Sequence, residues 1–222
     1  MNNTTRSLIF FTGLLAIIFY YFSIIPMLPF AMEQPTFYIN YLAASLLLVF
    51  PWIQLIMRKG VLKKYKLKDE SLFQLAIHDA KAIHRITFYA IAFLVILFPA
   101  TGNKLDLKAL LPVHYFTFAI WLFISELWIY VTYKTTKAYF GREYILISGL
   151  DFRLDFPFGS MLYSHSGVYH YTDFKYYYIE GQIIYLVLEN EQGKIAVEAE
   201  PSYVSNITSY LSAQKVKAIK PY

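Results

Sequence analysis

The chain has 222 residues, of which 57% are hydrophobic, 19% aromatic and only 16% charged, and it contains no cysteine. Soluble domains carry about a quarter charged residues, and disorder requires low hydrophobicity with high net charge, so neither class fits. Without thiols there is no disulfide scaffold, thiolate metal centre or cysteine catalysis.

The apolar excess is concentrated in four windows, and a helix needs about 20 apolar residues to cross a hydrocarbon core. Ser7–Phe30 and Pro35–Met57 are uncharged. Ile86–Thr101 is also uncharged and continues a helix expected to begin near Ser71, while Leu110–Tyr133 carries one charge, Glu126. The first window is too long for a signal-peptide core and has only Arg6 ahead of it, so it reads as a retained span. The expectation is a four-helix transmembrane bundle over residues 1–137.

Topology follows from the short loops. Residues 58–85 hold eight bases, Arg58, Lys59, Lys63, Lys64, Lys66, Lys68, Lys81 and Arg85, whereas 31–34 hold none and 102–108 only Lys104 and Lys108. The middle loop and both termini are therefore expected on the cytoplasmic side of a bacterial inner membrane. Up to Tyr133 there are eleven basic and six acidic residues, and beyond it nine of each, so the whole net charge of +5 lies beside the membrane. The eight bases are candidate contacts for anionic lipid headgroups, with a plain topology determinant as the alternative. No nucleic-acid footprint is implied.

Glu126 and His114 are the polar candidates inside the fourth span. A carboxylate at mid-span costs roughly 2.5–3.5 kcal/mol on insertion scales, so Glu126 needs a partner helix, a wet cavity or the interface. Ser125, Tyr130 and Lys134 are its candidate neighbours, and a proton or cation relay is the functional alternative. His114 lies about 18 Å from it along the helix. His78 and His84 are six apart, not the four that lets two histidines chelate from one helix face. His78, Lys81 and Arg85 would share a helical face at the inner headgroup level. No metal or other cofactor is expected.

Past Tyr139 the pattern changes to short β-rich runs broken by turn residues. Seven strands are expected: Glu143–Ser148, Leu150–Phe156, Met161–Ser164, Val168–Thr172, Phe174–Glu180, Ile183–Glu189 and Lys194–Ala199. Pro201 then opens a helix with Val204, Ile207, Tyr210 and Leu211 at helical spacing. Residues 138–222 thus read as a cytoplasmic β-rich domain, a small barrel or sandwich with a helical plug. Tyr176, Tyr177 and Tyr178 are candidates for an aromatic surface, with Tyr176 and Tyr178 on one face and Tyr177 on the other. That surface is either an interfacial rim or a stacking platform for a base or peptide.

Three features carry a resemblance: Tyr171-Thr-Asp-Phe174-Lys-Tyr-Tyr177, the paired strands within Ile183–Glu200, and the Pro201-led helix. Over residues 142–213 this order resembles the bacterial pleckstrin-homology-like domains found behind membrane hairpins in small integral membrane proteins. The chain departs from them in having four spans where those proteins have two, and in its aromatic segment Phe156–Tyr171. The resemblance implies a non-enzymatic cytoplasmic binding module, and some family members protect producer cells against membrane-active bacteriocins. Phosphoinositide-like recognition is not expected, because Glu143–Glu200 offers only Arg153, Lys175 and Lys194 against nine acids.

No nucleophile elbow, phosphate loop or zinc-protease motif is present, and the adjacent Ser164-His165-Ser166 does not make a triad. The sequence therefore predicts an α+β membrane protein acting as a binding or regulatory module, with immunity against a membrane-active peptide as its specific form. It would meet the bilayer directly, and a protein partner or second copy through the C-terminal domain. The alternatives are a pore-forming effector whose barrel senses a small ligand, and a membrane enzyme using Glu126 or His114.

Overall fold

The computed structural model of the chain describes residues 3–24, 27, 45–65, 71–78, 81–97, 110, 112–154, 166–189 and 193–219. Helix α1 (Asn3–Phe19) runs into a π-helical turn, Tyr20–Ile24, and a second π-helical turn, Ser45–Val49, leads into α2 (Phe50–Leu62). Helix α3 (Lys81–Ala92) ends in a third, Phe93–Leu97, and α4 spans Pro112–Thr135. Pro112 opens its helix, where a missing N–H costs nothing, and Pro51 stands just after the π-helical turn. The four helices share one core that includes Ile17, Leu47, Phe50, Phe88, Ala92, Trp121 and Ile129.

Among the described residues one helix, Pro112–Thr135, is long and apolar enough to cross a membrane, while Thr4–Phe19 and Ala82–Leu97 are apolar but shorter. The expected spans Ser7–Phe30, Pro35–Met57 and Ile86–Thr101 each run partly outside the described residues.

Seven antiparallel strands form one sheet: β1 (Phe73–Ile77), β2 (Lys137–Phe140), β3 (Tyr144–Ser148), β4 (Gly167–His170), β5 (Phe174–Glu180), β6 (Ile183–Leu188) and β7 (Lys194–Glu198). Their order is β4-β3-β2-β1-β7-β6-β5. The sheet is a meander whose last strand returns beside its first. It is not closed into the expected barrel, because β4 and β5, the two edges, do not pair. Even so, Ile145 and Tyr169 from one wing and Tyr177 and Leu186 from the other lie in a single core. The sheet is therefore curled, with a seam between its edges.

Among the described residues five of the seven expected strands form, as β3 to β7, and β1 and β2 were not expected. Residues 73–77 were expected to be helical and instead form β1. Phe-Gln-Leu-Ala-Ile has a period of two, with Leu75 and Ile77 buried and Gln74 and Ala76 exposed. β1 pairs with β2 through Phe73↔Phe140 to Ala76↔Lys137, and with β7 through Ala76↔Glu198 and Ile77↔Val197. The basic loop of residues 58–85 thus supplies the central strand. The expected strand at Leu150–Phe156 does not form over 151–154, which are irregular and buried. Met161–Ser164 lies outside the described residues.

Gly181 and Gly149 show why glycine is needed where the chain turns or passes close to another segment. Gly181, at φ +62°, opens the two-residue turn joining Glu180 to Ile183, which is the glycine position of a II′ hairpin. A Cβ on Gly149 would lie 2.4 Å from Thr136 Cα and 2.6 Å from the Thr135 carbonyl oxygen, because β3 leaves the sheet directly against the end of α4.

The last helix, α5 (Pro201–Ala213), lays fully buried Ile207 and Leu211 into the sheet core. It ends with Lys215 at φ +63°. The Val216 N–H bonds the Leu211 carbonyl at 3.1 Å and the Lys215 N–H bonds that of Ser212 at 3.0 Å, the double bond pattern of a Schellman cap. The chain then runs along the outer edge of β5, where the Tyr177 N–H donates to Lys217 and the Ile219 N–H to Tyr177.

Candidate functional site

The helices and the sheet meet at a buried charge cluster. Residues 150–154 turn away from the sheet and run between α2 and α4. The Leu150 and Phe152 N–H groups donate to the Thr135 and Thr132 hydroxyls at 2.9 and 3.0 Å, so these side chains replace the partner strand that the segment lacks. Phe152 stacks on Trp128 with centroids 4.2 Å apart and meets Trp52 edge-on at 5.0 Å. Leu154 reaches the helix core.

At this depth Arg58 of α2 donates to the Asp151 carboxylate at 3.2 Å and to the Asp151 and Arg153 carbonyls at 3.0 Å each. Arg153 donates twice to the same carboxylate, at 2.7 and 2.8 Å, and Ser166 gives it both its N–H and its hydroxyl. Arg58, Asp151 and Arg153 are each at most 2% exposed. Arg58 was a candidate headgroup contact, and the structure corrects this: its guanidinium faces inward, because Asp151 and two carbonyls satisfy it there. Lys59, Lys63 and Lys64 remain exposed. Lys66 and Lys68, and the side chain of Lys81, lie outside the described residues.

A second charged group lies between α3 and α4. Arg85 forms a two-pronged pair with Glu126, Nε to Oε1 at 2.7 Å and Nη2 to Oε2 at 2.8 Å, and the Tyr89 hydroxyl donates to the same carboxylate. The candidate neighbours of Glu126 are engaged elsewhere, Ser125 with the Trp121 carbonyl and Tyr130 with Lys134, which lies eight residues on and too far along the helix to pair with Glu126 directly. His78 lies beyond the start of α3 and bonds Glu198 of β7 through Nδ1 at 2.7 Å, so the expected helical face with Lys81 and Arg85 does not form. His84 is buried, its ring 6.2 Å from that of Tyr133. His114 is half-buried in the first turn of α4. Among the described residues no three His, Cys, Asp or Glu side chains converge on a metal position.

The tyrosine run divides across the sheet. Tyr177 is buried and leaves the surface candidates, its alternate position on β5 directing it into the core. On the outer face Tyr178 stacks on Tyr185 of β6 at 4.8 Å, Tyr176 follows at 6.4 Å, and the Lys194 ammonium sits 4.4 Å from the Tyr185 centroid. These rings use their faces on one another and on the lysine.

A cavity of about 430 Å³ opens where the seam faces the helix ends. Val61, Leu62, Lys64 and Tyr65 from the end of α2 form one wall, and Val168, His170, Asp173 and Leu188 form the other. Its volume lies in the range of small-ligand sites. The lining is more polar than apolar: Thr5, Lys64, His170 and Asp173 stand beside Val61, Leu62, Val168 and Leu188, a mixture that suits an amphipathic guest. Asp173 also caps the turn by accepting the His170 N–H at 2.8 Å.

Neither this cavity nor the charge cluster was named from sequence, since both join residues about a hundred positions apart. A usable signal was present in the opposite charges of Asp151 and Arg153, two residues apart within an apolar alternating run. No family model, curated protein or solved structure matches the chain.

Proposed function

We propose that the chain is a membrane-anchored, non-enzymatic binding and regulatory protein, with self-protection against a membrane-active peptide as its specific form. The observation that carries this reading is the seam cavity, whose two walls belong to a helix end and to the curled sheet. An amphipathic guest there would touch both parts at once. Strands β3 to β7 followed by α5 over a shared core support the pleckstrin-homology-like resemblance in the order of elements.

A four-helix membrane anchor is part of the proposal. Its support is an apolar belt on the outside of every helix of the bundle: Leu8 and Leu15 on α1, Ile56 on α2, Ile86 on α3 and Phe123 on α4 are each more than 60% exposed. Monomeric soluble proteins rarely display contiguous apolar surface on this scale. With the exposed bases Lys59, Lys63 and Lys64 facing the cytoplasm, the sheet and both termini would lie on the cytoplasmic side of a bacterial inner membrane, close to anionic headgroups.

Bacteria expressing the chain are expected to withstand a membrane-permeabilising peptide better than cells without it. A Val61→Trp variant, which fills the cavity from its exposed wall, should lose that protection at unchanged membrane abundance. Equal sensitivity of cells with and without the wild-type chain would overturn the reading. A second reading, a pore-forming effector, is favoured by the charged pair on α3 and α4, and dye release from liposomes carrying the purified chain would select it.

A further inference from the structure

We infer that the face of α3 and α4 centred on the Arg85–Glu126 pair is a two-fold interface with a second copy of this chain. The inference rests on the membrane reading above. Glu126 is seven residues from Tyr133, where the apolar run of α4 ends, about 10 Å along the axis at 1.5 Å per residue, which places it in the cytoplasmic half of a hydrocarbon core about 30 Å thick.

The pair is nevertheless not enclosed by its own chain: 48% of the Arg85 side chain and 37% of the Glu126 side chain are exposed. Around it lie Ile86, Phe123, Leu127 and Tyr130, all exposed. Residues 123, 126, 127 and 130 recur at three- and four-residue intervals, so they line one stripe of α4. The result is a charged centre whose rim is apolar on the side of Ile86, Phe123 and Leu127 and ends at Tyr130, which takes the Lys134 ammonium.

Charge complementarity selects the occupant. A two-fold axis beside the pair sets the Arg85 of each copy against the Glu126 of the other and closes four charges into an alternating ring. Such an interface is self-complementary, because the same patch supplies both signs. Oppositely charged groups across the contact then replace lipid at the exposed sides of both ions.

The natural absence of cysteine makes disulfide trapping clean. With Phe123→Cys in the full-length chain in membranes, oxidation should yield a linked dimer, while Leu15→Cys on α1 should not. The charge-exchanged variant R85E/E126R keeps the pair within each copy and should also link to itself. Mixed with the unexchanged chain, it opposes like charges across the axis, and mixed dimers should fall by at least about tenfold, the factor set by roughly 1.4 kcal/mol. Failure of Phe123→Cys to link, or mixed dimers as abundant as the pure ones, would overturn the interface. Alkaline carbonate extraction tests the membrane reading separately: release of the chain from membranes with dimers still formed removes the membrane reading and leaves the interface standing.

Discussion

At the scale of single residues, Asp151 carries the largest stake. It accepts from Arg58, Arg153 and Ser166 with no exposed surface. Removing one partner of a buried ion pair typically costs about 3–5 kcal/mol, because the remaining charge is left uncompensated. Asp151→Asn should therefore lower the midpoint of thermal unfolding sharply, whereas Lys59→Ala, on the exposed side of the same helix, should leave it unchanged. Gly149→Ala is expected to destabilise by about 1–3 kcal/mol through overpacking, since the backbone of Thr135 and Thr136 occupies the space of a methyl group.

Tyr171 supplies a pH prediction. Burial and the neighbouring Tyr210 push its hydroxyl far above the usual tyrosine value of 10, and both phenols donate to the Gly141 carbonyl at 2.8 Å. The folded state holds that proton where the unfolded chain releases it. The contribution is fully present below pH 10 and is lost as pH rises above it. Alkaline unfolding followed by circular dichroism should begin near pH 10, with a shallower pH slope in Tyr171→Phe.

At the scale of elements, the α5 cap is a local conflict resolved by packing. Lys215 adopts the left-handed region that L-residues disfavour, held there because Val216 must return to the core beside Leu211. Lys215→Gly is expected to raise stability by about 0.5–1 kcal/mol, read as a higher unfolding midpoint. The elements that were legible in sequence are those whose pattern is local. α4 declared itself by a long apolar run, β5 to β7 by alternation and turn glycines, and α5 by Pro201 with Ile207 and Leu211 at helical spacing. β1 was not legible as a strand, because five alternating residues followed by an apolar helix read as that helix's beginning. Residues 150–154 misled in the opposite direction: their alternation is real, but their hydrogen-bond partners are threonine hydroxyls on α4, which no strand pattern encodes.

At the scale of the whole molecule, β1 decides how the parts depend on one another. It lies between α2 and α3 in the chain and between β2 and β7 in the sheet. A fragment of residues 138–222 would lack it and leave the facing edges of β2 and β7 unpaired. That fragment is expected to give a collapsed, poorly dispersed amide NMR spectrum. Supplying residues 71–78 through a flexible linker should restore dispersion. Candidate sites follow the same logic. The pair Arg85–Glu126 and the cluster around Asp151 are built across elements, so sequence offered Arg58, Arg85 and Glu126 singly, passed over Asp151, and left their assembly to the fold.

The position of β1 also has a consequence in time. Ala76 is complete long before Glu198, its partner on β7. At a synthesis rate of 5–20 residues per second the interval is roughly 6–24 s, during which two helices emerge between the strand and most of its sheet. For that interval the newborn strand is an unpaired edge awaiting its neighbours, the kind of surface that holdase chaperones retain. A segment holding only residues 138–222 omits the strand between β2 and β7, so the complete sheet requires the chain from β1 onward, with the intervening helices carried inside it.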